Sequence, residues 1–298
     1  MTFANAKRLI DTAFNWGVPQ LQWVGGEAFV NKDFPKIVEY AQSLGLVQNI
    51  ITNGIIPGVR PKKFMNTLRA FSTIQVSANA VGDSYNIIVG KSVYEKFVQS
   101  VKLINDSCGN VWLSCVVTRK NARSLNQIVS LGELVGARGI TFGILAKQGR
   151  AVANAMNYFE CLNWARESLN SVLTSDGPAI EIDCHFDPTM SRLQKAQSVE
   201  KRHGGYEGHS ILFINKDGDI YPFPLLEMNS LKLGNAFIDD LRQLWFSSEL
   251  LTSLRAAADP LLCEGCDSDC SFRSRSLRYL WTGSFSGKLP CYRFDFKK

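Results

Sequence analysis

Short β-branched runs alternate with amphipathic helical stripes through the first half of the chain, and that alternation leaves few folds open. Phe3, Leu9, Ile10, Ala13 and Phe14 mark a first helix, because apolar residues spaced three and four apart share one helical face. A strand is predicted over residues 21–24 and a helix over 35–44, with Ile37, Val38 and Ala41 on one face, Pro35 suited to its first turn and Gly45 to its end. Further strands are predicted over 49–52, 73–77, 111–117 and 139–142, separated by helices near 61–70, 93–104 and 124–134. Strands in such a succession pair in parallel, since parallel neighbours require a crossover long enough to hold a helix. The fold class is therefore α/β.

A helical stripe over 154–172 closes this half, and Ser175-Asp176-Gly177-Pro178 is the predicted boundary, giving domains 1–177 and 178–298. Beyond it the periodicity changes. Runs over 211–214 and 219–221 flank Asn215-Lys216-Asp217-Gly218, a hairpin signal, and 238–257 carries helical stripes. At 298 residues and 45% hydrophobic the chain can bury a substantial core. No apolar run approaches the roughly 20 residues of a membrane helix, and the first residues lack the basic head and apolar stretch of a signal peptide. No membrane association and a cytoplasmic location are the expectation.

Gly25-Gly26-Glu27 directly follows the first predicted strand. Two residues without Cβ there let the backbone approach a ligand at the strand ends, where parallel sheets bind their ligands. Glu27 would supply an acceptor-only carboxylate suited to an ammonium group. The stretch LQWVGGEAFVNKDFPKIVEYAQSLGLVQNIITNG, with its glycine-glycine-glutamate turn, helix, strand and TNG turn, resembles the corresponding segment of radical SAM enzymes. Ser77-Ala78-Asn79 occupies the place of that family's Ser-x-Asp segment, Val116 to Asn121 resembles the exit of its fifth strand, and Gly149-Arg150-Ala151 resembles its GRA turn. In the second unit DGDIYP, LGNAFIDDLRQLW and CEGC resemble the SPASM extension of peptide-modifying members.

The resemblance implies a partial (β/α) barrel of the radical SAM type, N-terminally shortened, with a small metal-organised C-terminal domain. It implies S-adenosylmethionine at the strand ends: Gly25, Gly26 and Glu27 toward the methionyl amino group, Ser77 and Asn79 toward the ribose, and Asn53 of the TNG turn as a further contact. Two departures are local. Ala28 replaces the family's proline, and Asn79 replaces its aspartate, which keeps an acceptor and removes a charge. A third is chemical. The family's C-x-x-x-C-x-x-C loop belongs upstream of the helix that begins at Phe3, and the first cysteine of this sequence is Cys108. Three thiolates in that loop hold the iron-sulfur cluster that delivers the electron to the sulfonium. Cys108, Cys115, Cys161 and Cys184 stand singly and read as packing residues.

Cys263-x-x-Cys266, Cys270 and Cys291 form a four-sulfur set suited to zinc or to a 4Fe-4S iron-sulfur cluster, and spacing alone does not separate the two. The set resembles an auxiliary site of SPASM domains. A companion site is expected to be lost, since Phe223 stands where the family has cysteine. His185, His203 and His209 show no ligand spacing. Arg273, Arg275 and Arg278, among aromatic residues, also permit nucleic-acid binding, weighed against a solvated basic tail as the blander reading.

Three readings of function stay open. The chain is a radical SAM/SPASM scaffold, not catalytic alone, that binds a peptide or small-protein substrate, the cofactor, or a catalytically complete relative. Otherwise it is an active peptide-modifying enzyme whose cluster-bearing start lies outside the sequence. A metal-containing nucleic-acid-binding protein is the third and weakest.

Overall fold

The structure, a computed structural model, describes residues 1–56, 61–144, 164, 167–168, 177–182, 207–257 and 275–287. The chain divides into two compact units, one of Thr2–Gly143 with Phe159–Glu181, the other of Ile144–Tyr158 and Ile182–Lys298 with Met1.

In the first unit the predicted alternation is present. Helix α1 (Phe3–Asn15) starts where the Thr2 side chain accepts from the Asn5 amide, one of the orphan donors of a helix start. Strand β1 (Gln20–Trp23), helix α2 (Phe34–Ser43), β2 (Val47–Thr52), α3 (Pro61–Arg69) and β3 (Thr73–Ser77) follow. Then come α4 (Gly82–Val89), α5 (Tyr94–Cys108), β4 (Val111–Val117), α6 (Leu125–Val135), β5 (Gly139–Ile144) and β6 (Ala179–Ile182). The sheet runs in the order β1-β2-β3-β4-β5-β6. Strands β1 to β4 are parallel, with Trp23 beside Ile50, Ile50 beside Ile74, and Ile74 beside Val111.

One face of this sheet carries the core. Ile50, Ile74, Val76, Leu113 and Cys115 are fully buried, and so are Val38, Leu68, Phe97, Val101 and Leu125 from the helices. Removing such surface from water contributes about 1.5–3 kcal/mol per large side chain. The side chain of Gln48 is buried in the same layer with both ends satisfied: it accepts from the Trp23 indole at 2.9 Å and donates to the Val38 carbonyl at 3.0 Å. A buried amide so paired fixes α2 over β1 and β2, because an unpaired one costs about 1–3 kcal/mol.

Two elements of this unit escape the sequence pattern. Helix α4 shows no amphipathic stripe; Ile87, Ile88 and Val89 are 75%, 41% and 42% exposed. Tertiary contacts hold it instead: the Tyr85 ring stacks on Phe97 at 4.5 Å, and the Asn86 side chain accepts from the amides of Val93 and Tyr94. Strand β6 directly follows the turn cluster predicted as a boundary and joins the first sheet. The predicted helix over 154–172 and the Gly149-Arg150-Ala151 turn lie outside the described residues, apart from Trp164, Glu167 and Ser168, which are helical.

The second unit contains the predicted hairpin, β7 (Phe213–Ile214) and β8 (Asp219–Tyr221), with β9 (Gly234–Asn235) completing an antiparallel sheet. The Asn215 side chain accepts from the amides of Asp217 and Asp219, and Gly218 turns the chain at φ 86°. The helical stretch predicted as one piece is two helices, α7 (Leu241–Ser247) and α8 (Glu249–Ala256), because Ser248 is extended and its hydroxyl accepts from Leu251, starting a new helix. Helix α9 (Arg275–Thr282) brings Tyr279 against a core of Leu226, Leu231 and Leu254.

Candidate functional site

Four connections leave the same ends of β1 to β4, and side-chain hydrogen bonds join them in two pairs, β1 with β2 and β3 with β4. After β1, Gly25 adopts φ 122°, a region that side chains rarely enter, so glycine is required to make the turn. A Cβ placed on Gly25 or on Gly26 would meet no atom within 4 Å. The backbone here is therefore open to an approaching group. Glu27 follows as the cap of a short 3-10 turn, Ala28–Val30, accepting from the Phe29 amide at 3.3 Å.

The Glu27 carboxylate does more than cap. Its oxygens accept from the Thr52 hydroxyl at 2.9 and 3.0 Å and from the Asn53 amide at 2.8 Å, binding the turn after β1 to the end of β2. Thr52 is 2% exposed, and its hydroxyl in turn accepts from the Gly54 amide at 3.2 Å. Gly54 itself has φ 74°, and a Cβ there would stand 2.8 Å from a methyl of Val76. Hydrogen bonds to an ionised carboxylate are the stronger kind, about 1.5–3 kcal/mol each. Glu27 thus acts as a clasp, with the amine-binding role expected of it confined to the lone pairs that remain.

A second clasp joins β3 to β4. The Asn79 side chain accepts from the Val116 amide at 2.8 Å, so the acceptor retained where the family has aspartate is used on backbone. Asn121, 2% exposed, donates to the carbonyls of Asn79 at 2.8 Å and Val116 at 2.9 Å and accepts from the Thr118 amide at 2.7 Å. Asn53 likewise spends its side-chain oxygen on the Ile55 amide at 2.8 Å. Of the expected contacts, Ser77 alone keeps a hydroxyl without a hydrogen-bond partner among the described residues.

The face of β2 to β4 opposite the core is polar. Residues of that face alternate with the buried ones and are half-buried: Asn49 and Ile51 on β2, Thr73, Gln75 and Ser77 on β3, Trp112 and Ser114 on β4. Their register sets Asn49 beside Thr73, Gln75 beside Trp112 and Ser77 beside Ser114. The side-chain oxygen of Asn49 is buried without a hydrogen-bond partner among the described residues. Such an atom costs free energy unless water or a ligand meets it. Thr52 lies in the TNG turn and Asn121 ends the Val116–Asn121 segment, but those motifs do not disclose the hydrogen bonds the two side chains make. The open face is polar at Asn49, Thr73, Gln75, Ser77 and Ser114, with Ile51 and Trp112 among them, where parallel strands ordinarily read as continuous apolar runs.

The described cysteines do not form a cluster site. Burial pushes the Cys115 thiol up to about 12, and it raises Cys108 while the nearby Arg69 charge works against it. Both stay protonated at neutral pH, as packing thiols do. Among the described residues no group of three or more histidine, cysteine or acidic side chains is arranged to hold a metal ion. Cys161, Cys184, Cys263, Cys266, Cys270 and Cys291 lie outside the described residues, as do His185, His203 and Arg273. Phe223 packs against the leucine core of the second unit. His209 approaches the Glu207 carbonyl at 3.2 Å. Arg278 is fully buried and Arg275 donates to the Ala257 carbonyl. The nucleic-acid reading of the tail therefore loses Arg278 as a surface cation. Among the described residues no helix is long and apolar enough to cross a membrane.

Residues 1–131 match the profile of the radical SAM superfamily. The AdoMet-dependent heme synthase of Nitratidesulfovibrio vulgaris is 25% identical over 271 residues, covering 84% of this chain and 71% of the relative. The PqqA peptide cyclase of Xanthomonas campestris pv. campestris is 25% identical over 281 residues, covering 89% and 71%. Among solved structures, Streptococcus suis SuiB bound to S-adenosylmethionine superposes with a TM-score of 0.70 at 17% identity, over 90% of this chain and 64% of SuiB. Native anSMEcpe with bound AdoMet and Kp18Cys peptide gives 0.69 at 15%, over 92% and 81%. SuiB is also known bound to its precursor peptide SuiA. This chain spans less than two thirds of the SuiB chain. The likeness establishes the fold as the α/β architecture of these proteins.

Proposed function

We propose, from the match of residues 1–131 to the radical SAM superfamily profile, that the chain holds S-adenosylmethionine at the ends of β1 to β4 and presents the polar face of the sheet to a peptide substrate. The observation that carries this reading is the open glycine turn after β1, held to the end of β2 by the Glu27 clasp, with the ends of β3 and β4 joined in the same way by Asn79 and Asn121. The cofactor fits that turn, because Gly25 and Gly26 leave room for it and the Glu27 carboxylate offers acceptors to its ammonium group. Ser77 supplies a free hydroxyl toward the ribose. Asn53 and Asn79 act as positioning residues, holding the loops on either side.

In radical SAM enzymes an iron-sulfur cluster supplies the electron that opens the sulfonium. The residues at these strand ends do not fit that group. No C-x-x-x-C-x-x-C spacing occurs in the 298 residues, and the two described thiols are held protonated. We therefore assign to this chain binding and orientation, with the cluster ligands supplied from outside these residues. The peptide class of substrate is supported by relatives named for it, the PqqA peptide cyclase and SuiB with SuiA. Cys263, Cys266, Cys270 and Cys291 are proposed to hold zinc or an iron-sulfur cluster that organises the tail of a SPASM-like second domain.

Calorimetric titration with S-adenosylmethionine tests the reading. Saturable binding that Gly25→Val abolishes is expected; no binding by the folded wild type would refute it. Elemental analysis of anaerobically purified protein is expected to find zinc, or iron with sulfide, lost on Cys266→Ser. Cleavage of the cofactor by the 298-residue chain with reductant alone would overturn the assignment of binding without initiation.

A further inference from the structure

A cavity of about 440 Å³ opens just past the first two strand ends, lined by Phe29, Val30, Pro35, Ile55, Ile56 and Phe64 with three lysines, Lys32, Lys63 and Lys96. Its volume is within the roughly 300–1,000 Å³ of ligand pockets, and its mixture of apolar wall and few charged groups is the usual composition of one. The wall is rigid. Phe29 and Phe64 are 4% and 3% exposed and meet edge to face at 5.0 Å, and Phe29 meets Phe34 in the same manner at 5.3 Å.

None of the three lysines makes an ion pair among the described residues, and Lys63 lies 5.2 Å from the centre of the Phe64 ring. Two of them stand in the first turns of helices, Lys63 in α3 and Lys96 in α5, and Lys32 stands two residues before α2. Helix starts carry a partial positive charge, so cations there are disfavoured. Helix α3 has no acidic residue in its first turn to offset this, whereas Asp33 stands at the N-cap of α2 and α5 carries Glu95 in its first turn. Three like charges gathered around an apolar hollow make a standing demand for an anion.

We propose that this cavity binds an acidic peptide segment, a carboxylate side chain meeting the lysines while a neighbouring apolar side chain enters between Val30, Ile55 and Phe64. Two observations favour a carboxylate peptide over a nucleotide or nucleic acid. The aromatic rings are buried and locked edge to face, leaving no free ring face on which a base could stack. The cations are lysines, point charges without the guanidinium fork that grips phosphate in two places. Val30, 71% exposed at the rim, is the apolar surface that the ligand would cover. The inference takes its ligand class from the peptide reading above, but it is tested by binding alone, so the two can fail separately.

The experiment is fluorescence anisotropy with a labelled peptide in which glutamates alternate with leucines. The comparison probes replace glutamate with lysine, or leucine with serine, and a labelled oligonucleotide and inorganic phosphate serve as competitors. The acidic-apolar peptide is expected to bind the wild-type chain, more weakly as salt rises. Affinity should fall at least tenfold in the triple variant Lys32→Ala, Lys63→Ala, Lys96→Ala and at least fivefold in Val30→Asp. Val30→Asp changes a residue that is mostly solvent-exposed, so it covers the case in which the triple variant fails to fold. Removing cations from helix starts should leave the unfolding temperature equal or raised. S-adenosylmethionine binding should be unchanged in both variants; its absence in the wild type alongside lysine-dependent peptide binding would sink the cofactor reading and leave this one standing. Peptide affinity indifferent to the lysines and to Val30, or displacement by oligonucleotide or phosphate at lower concentration than by unlabelled peptide, would overturn the proposal.

Discussion

Exchanging Glu27 for glutamine and Thr52 for valine, singly and together, separates a carboxylate that waits for a ligand from one that holds two strands. In Glu27→Gln one of the two acceptor oxygens becomes an NH2 group, so the amide of Asn53 at 2.8 Å or of Phe29 at 3.3 Å loses its acceptor, at a cost of about 1.5–3 kcal/mol. Thr52→Val deletes the hydroxyl that spans both carboxylate oxygens and leaves the Gly54 amide without its acceptor, which costs about as much. Thr52→Val removes the Thr52–Glu27 bond outright, and Glu27→Gln leaves the hydroxyl a single neutral acceptor oxygen, so the pair is perturbed in both variants. The double variant should therefore lose less than the sum, with a coupling of about 1–2 kcal/mol. Urea unfolding of the four proteins, with hydrogen exchange at the Asn53 amide as a local probe, gives the cycle. Thr52 is 2% exposed and offers a ligand almost no surface. Its valine variant should nevertheless weaken S-adenosylmethionine binding in calorimetry, as Glu27→Gln does. Costs that add to within about 0.5 kcal/mol, with cofactor affinity intact in Thr52→Val, would refute the clasp.

Asn121→Ala removes three hydrogen bonds at a buried position and strands the Asn79 and Val116 carbonyls, so a loss of about 2–4 kcal/mol is expected in urea unfolding. Gly54→Ala combines a left-handed backbone with a Cβ 2.8 Å from Val76, and the strain and overpacking together should cost about 2–4 kcal/mol, read as a lowered melting temperature. The Asp219 carboxyl is held below its ordinary range by hydrogen bonds from Lys232 and Asn235. A depressed carboxyl stabilises the fold above its unfolded pKa of about 3.9 and loses that contribution as pH falls through the folded value. Asp219→Asn should accordingly flatten the acid limb of the stability profile of the second unit below about pH 4, as followed by circular dichroism.

The parallel sheet was legible because its helices carry one apolar face each: Ile37, Val38 and Ala41 are marked in the sequence and buried in the structure. β3 and β4 begin and end at the residues predicted for them. Helix α4 was not legible, since its exposed Ile87, Ile88 and Val89 follow no helical period and it is held by tertiary contacts of Tyr85 and Asn86. The break at Ser248 was hidden because a serine can cap a helix or sit within one, and only its extended backbone decides. At the site, the glycine turn could be placed from the sequence. The partners of Glu27, Asn79 and Asn121 could not, because each hydrogen bond joins segments whose proximity the sheet creates. A motif names the acceptor without saying which of its lone pairs are already taken.

Strands β2 to β4 are written in two alphabets, one buried beneath helices and the other turned to the open side. Stability draws on the first, so the second is at liberty to drift. On the proposed reading, exchanges at Asn49, Gln75, Ser77 or Ser114 would redraw what the protein recognises while Ile50, Ile74, Val76 and Leu113 keep the scaffold standing. A lineage built this way acquires new substrates by small steps, each neutral to folding, and descendants of one sheet can serve chemically unrelated molecules while their backbones still superpose.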